Sequence, residues 1–264
     1  LALAGLALRA AAARSDASAL RGIALSTLSL ELLLAAAALL IAGASRSSPR
    51  ASLGLLPFRG GALRVCAAAA GTIGLSAALD GMLVRSQLRD ASVLARVDAL
   101  LAAGSAADLG FALAGLVLAP ALAEELLCRG IVQRALARRA PPAAAVLGAA
   151  LCFGALHLEW IQGSAAALLG IYLGIVAWRF GSSWPAIACH LANNAVAVLS
   201  AFFALPLDSS RTPVWLAGLT VAAAGAALLP RTPALPESCA AGGSPGGTAP
   251  EVSPLQSGAR SDDS

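Results

Sequence analysis

The chain has no lysine. Its eighteen basic residues are all arginine, and only two histidines accompany them. Charged residues of both signs make up 12% of the 264, where an ordinary soluble domain carries about 25%. That deficit argues against a soluble globular domain. Cysteine pairing is missing too. Cys66, Cys128, Cys152, Cys189 and Cys239 are scattered, no CxxC occurs, and most fall inside apolar runs. They read as small packing residues and not as a disulfide frame. There is no HExxH and no internal repeat. The net charge of +4 and pI near 9.1 suit basic membrane loops, so no nucleic-acid partner is inferred.

What is present is apolar. Hydrophobic residues reach 58%, with mean hydropathy +0.80. About 20 apolar residues per helix are needed to cross the hydrocarbon core. Candidate spans are 23–43, 62–84, 108–136, 142–158, 164–180, 184–204 and 214–229, and residues 1–13 can supply the end of another. The expectation is an all-α, polytopic transmembrane helical bundle of about seven or eight spans, in an integral membrane protein. It divides into N-terminal spans and loops (1–107), a membrane core (108–204), a last span (205–229) and a Pro-, Gly- and Ser-rich disordered tail (230–264). Loop 85–107 is mixed enough to hold an interfacial helix. Arg134, Arg138 and Arg139, set against the arginine-free LEWIQG at 158–163, put the 134–141 loop in the cytoplasm.

Three of these spans carry polar groups. A charge at the centre of a membrane helix costs roughly 2.5–3.5 kcal/mol on insertion scales, so such groups tend to face a protein interior or wet cavity. Glu124, Glu125 and Arg129 share one span. His157 lies in the next apolar run, and His190, Asn193 and Asn194 lie in a later one. Residues four apart share a helix face, so Glu125 and Arg129 form one stripe and His190 and Asn194 another. Glu124 is turned about 100° from Glu125, onto the stripe of Cys128. One carboxylate is thereby neutralised within its helix and the other left free. Glu31 and Asp80 stand alone in their spans, outside the expected site.

In this order the motifs resemble a known family. EELLCR (124–129), FGALH (153–157) and HLANN (190–194) look like the EExxxR, FxxxH and HxxxN motifs of the CAAX-protease and bacteriocin-processing (CPBP, or Abi) intramembrane endopeptidases. The resemblance covers about residues 108–204. It implies a helical membrane fold and hydrolysis of a peptide bond within or beside the membrane. Carried over by position, Glu124 is the catalytic glutamate with Glu125 and Arg129 as partners. His157 binds or polarises water, and His190 and Asn194 complete the site. The implied substrate is a membrane-embedded or lipid-anchored peptide, and the setting a bacterial plasma membrane.

The groups suit that chemistry. A carboxylate in a low-dielectric pocket can serve as a base near neutral pH, which fits Glu124. Asn194 donates hydrogen bonds but cannot act as a base, so it suits an oxyanion contact, with His190 as a second donor. A metal-free mechanism is the favoured reading. The alternative is Zn²⁺ held by Glu124, His157 and His190. Two other classes of function fit the same residues: a proton- or cation-coupled transporter, and a non-catalytic immunity or binding membrane protein. Depth poses a difficulty for one shared site. His157 lies roughly 22 Å along a helix begun at Pro142, and His190 only about 7 Å along one begun at Pro185. A shared site therefore predicts a strongly tilted or broken span, with Pro120 as one place for a kink.

Overall fold

Caps and turns decide where each apolar run stops being helical. The computed structural model describes residues 17–58, 60–205 and 212–230, and among them every regular element is a helix. In chain order these are α1 (Ala17–Gly43), the short α2 (Pro49–Ser52), α3 (Gly61–Arg85) and α4 (Val93–Ala102). There follow a long helical stretch α5 (Ala106–Ala137), α6 (Pro142–Leu156), α7 (Trp160–Phe180), α8 (Trp184–Phe202) and α9 (Thr212–Ala227). Helix α4 lies within the mixed loop 85–107.

Among the described residues, five helices are long and apolar enough to cross a membrane: Ser18–Gly43, Gly61–Arg85, Ala106–Ala137, Trp160–Phe180 and Trp184–Phe202. The remaining two expected spans are shorter apolar helices, Pro142–Leu156 and Val214–Ala227. At 1.5 Å per residue, a fifteen-residue helix such as α6 covers about 22 Å of a roughly 30 Å core. The eighth span expected within 1–13 lies outside the described residues, as does the expected tail beyond Pro230. Leu33 and Leu40 on α1 and Leu63 on α3 are largely exposed, which suits helix faces turned to lipid acyl chains.

Two of the boundaries that differ from the sequence expectation lie beside the polar motifs. Helix α6 stops at Leu156, because Leu158 takes a left-handed backbone (φ 56°) that no helix can continue through. Helix α7 then starts at Trp160, four residues earlier than expected. Its N-cap is Glu159, whose carboxylate accepts from the backbone N–H of Ile161 (2.8 Å) and Gln162 (3.1 Å).

Small residues let the helices approach. On α3 and α9, a Cβ added at Gly74 would lie 2.6 Å from the Gly218 carbonyl oxygen, and one at Gly225 would lie 2.6 Å from that of Ala67. Backbone-to-backbone contact of this kind is how membrane helices associate without a hydrophobic gradient between them. The α6–α7 hairpin repeats the device. There a Cβ on Gly154 would sit 2.6 Å from the Gly163 oxygen.

Helix α5 is not uniformly α-helical. Its ladder widens into π-helical turns at Leu113–Leu118 and Leu126–Val132, around a short α segment, Ala119–Glu125. Pro120 follows the first of these. Its ring has no N–H to give and crowds the carbonyl four residues back, that of Leu116. Turns of this type are common at functional sites, and here the second one carries Cys128 and Arg129.

Candidate active site

The two adjacent glutamates of α5 have different surroundings. Glu125 is fully buried, and its Oε1 accepts from Arg129 Nη1 at 2.8 Å. This is the pair that the i, i+4 spacing predicted. Arg129 is buried too, and donates from Nη2 to the Gly170 carbonyl of α7 at 2.9 Å. Four residues on, Gln133 donates to the Gly174 carbonyl at 2.9 Å. One stripe of α5 thus reads two carbonyls one turn apart on α7, and the glycines there leave room for it. The Arg129 guanidinium also lies over the Phe153 ring of α6, 4.5 Å from its centroid, a cation–π contact.

Glu125 has a second partner that spacing did not reveal. Its Oε1 lies 3.0 Å from His190 Nδ1 of α8. A carboxylate held by arginine is an acceptor, so Nδ1 donates to it and Nε2 is left on the other side of the ring. That Nε2 lies 3.9 Å from Glu124 Oε2. The Glu124 carboxylate is buried, and Oε2 makes no hydrogen bond within the described structure.

His157 sits at the C-cap of α6 with Nδ1 3.0 Å from its own Phe153 carbonyl. Phe153 lies between the two imidazoles, with centroid distances of 5.3 Å to His157 and 5.5 Å to His190. Both histidines thus reach one ring, although they lie at different distances from the starts of their helices. Part of the reason is local, because the His157 ring leans back toward the N-terminus of its helix, as helical side chains do. Asn194 Nδ2 donates to the Leu116 carbonyl at 3.1 Å, the carbonyl that Pro120 crowds. The asparagine expected to donate to substrate thus spends one of its two N–H groups holding the distorted turn.

Glu124, His157 and Asn194 line one cavity of about 680 Å³. Its far wall is α4 and the short turn before it, which Ser92 ties down by donating to Glu159 at 2.7 Å. Outside the spans, burial raises the Asp98 carboxyl of α4 above its ordinary range, while Arg89 pulls it down and Asp80 pushes it up. Glu31 of α1, left outside the expected site, also lines the cavity. It is buried, with Oε2 unpartnered. A lone acidic residue in a span was the only available signal, because no spacing links α1 to the motif helices. Asp80, by contrast, is 2.7 Å from Arg89.

For the zinc alternative, His157 and His190 each turn Nδ1 to a protein acceptor, and Glu124 Oε2 lies 3.9 Å from His190 Nε2. Among the described residues no three His, Cys, Asp or Glu side chains are grouped so as to hold a metal ion.

Residues 106–196 match the family model described as type II CAAX prenyl endopeptidase Rce1-like. The matched segment takes in all three motifs, so the CAAX-protease resemblance read from them is borne out by an independent comparison. Together with the long apolar helices, the match indicates an integral membrane protein. No curated protein and no solved structure matches the chain.

Proposed function

We propose that the protein is an intramembrane endopeptidase of a bacterial plasma membrane, cutting a membrane-embedded or lipid-anchored peptide with a glutamate-activated water. The observation that carries this is the pair Glu124 Oε2 and His190 Nε2. Their 3.9 Å separation is too long for a hydrogen bond and short enough for one water to bridge both. With His190 neutral both atoms are acceptors, so a bridging water would point its two protons at them and its oxygen lone pairs away, toward the cavity.

The residues then divide the work. Glu124 takes a proton from the water as its oxygen adds to the peptide carbonyl carbon. Glu125, fixed by Arg129, keeps His190 in the tautomer that accepts from that water. His157, on the same cavity wall, gives the water or the substrate a further polar contact. The second N–H of Asn194 stabilises the developing oxyanion, and its bond to Leu116 fixes the direction.

The test maps new peptide termini in cells carrying wild type or Glu124→Gln at matched protein levels. At least one membrane-associated peptide should persist uncut in the variant. Equal processing in both would overturn the reading and favour a non-catalytic membrane protein.

A further inference from the structure

We propose that Glu31 is the acid that protonates the leaving nitrogen of the cleaved peptide bond, a role that rests on the endopeptidase reading above. Amide hydrolysis makes two demands. Water must lose a proton, and the amine must gain one before the C–N bond can break readily. Glu124 meets the first. Its neighbour Glu125 cannot meet the second, because Arg129 and His190 hold it. Asn194 cannot donate a proton at all.

Glu31 has the attributes the second role requires. It is 3% exposed, its Oε2 has no partner in the described structure, and it lines the same cavity as Glu124. It comes from α1, which packs against the Ala119–Glu125 segment that carries Glu124. Two like charges sharing one poorly solvated site repel, so a single proton between them is the favourable arrangement. Among the described residues no cation is paired with Glu31, whereas Asp108 is paired with Arg21.

The proton balance closes. The water adds as hydroxide to the carbonyl carbon, and its proton goes to Glu124. The tetrahedral intermediate expels nitrogen as Glu31 gives its proton to it, which frees the amine and the new carboxyl group. The proton on Glu124 then passes to Glu31, directly or through one water, and both groups return to their starting states.

The test uses the full chain in lipid vesicles with two probes. One is a prenylated CAAX-type peptide. The other is its depsipeptide analogue, with oxygen in place of the scissile N–H, whose leaving group departs far more readily without an acid. Glu31→Gln should slow amide cleavage about a hundredfold, in line with loss of one acid–base group, and leave ester cleavage close to wild type. The ratio of the two rates on one preparation is independent of how much variant has folded. Glu124→Gln should slow both at least about a hundredfold. Infrared difference spectra at neutral pH should lose one protonated-carboxyl band in Glu31→Gln. An unchanged amide-to-ester ratio, or no lost band, overturns the Glu31 role while leaving the endopeptidase intact. Failure of wild type to cut either probe overturns both.

Discussion

Glu124 and Glu125 are joined by one peptide bond, yet their surroundings are opposite. Glu125 is held by Arg129 within its helix and by His190 from α8. Glu124 faces a cavity with a carboxylate oxygen that no neighbour satisfies. The inner set of Glu125, Arg129, Gln133 and Phe153 is a packed and hydrogen-bonded frame. The outer set of Glu124, Glu31, His157 and Asn194 is a wall of groups turned to one space. Glu125 Oε2, Arg129 Nε and Gln133 Oε1 are also buried without a partner, so what separates the two sets is the cavity, which Glu124 lines and Glu125 does not. His190 connects the two sets, with one ring nitrogen in each.

The comparison can be broken from either side. The largest effect should come from the outer set. Glu124→Gln should lower peptide cleavage by about 10²- to 10⁴-fold with an unchanged melting temperature in detergent. A matching fall in stability would mean that Glu124 belongs to the frame. On the inner side, Arg129→Ala leaves Glu125 buried without its cation, and the loss of one partner of a buried pair costs about 3–5 kcal/mol. Thermal or denaturant unfolding in detergent measures this, and a loss under about 1 kcal/mol would place the pair among weak surface-type bridges.

Farther out, Gly74→Leu should force α3 and α9 apart at the Gly218 carbonyl and cost about 1–3 kcal/mol, as overpacking does. Cleavage per folded molecule should not change, since neither helix contributes to the cavity wall. The smallest effect is expected at the cavity's far wall. Ser92→Ala removes the hydrogen bond to Glu159, worth about 1 kcal/mol, and should raise KM more than it lowers kcat. A selective fall in kcat would instead draw α4 into the chemistry.

Much of this was legible in the sequence, for physical reasons. Apolar run length located the helices, and the i, i+4 rule gave the Glu125–Arg129 pair. The three motifs picked the segments that converge on Phe153. What stayed hidden was contact between helices far apart in the chain. The His190–Glu125 bond joins residues 65 positions apart, and the entry of Glu31 depends on how α1 packs. Asn194 was read as a substrate donor, but its bond to Leu116 needs the π-helical turn before Pro120, and no periodicity in the sequence predicts such a turn. Helix ends shifted where Leu158 turned left-handed and Glu159 capped the helix that follows.

The most direct test of the central claim measures cleavage and thermal unfolding together, on the same preparations of Glu124→Gln and Glu125→Gln. The account predicts a separation. Glu124→Gln should unfold like wild type and cut at least about a hundredfold more slowly. Glu125→Gln should unfold at a clearly lower temperature while keeping residual cleavage per folded molecule above that of Glu124→Gln. The reverse pattern, with a destabilised Glu124→Gln and a stable but inactive Glu125→Gln, would contradict it.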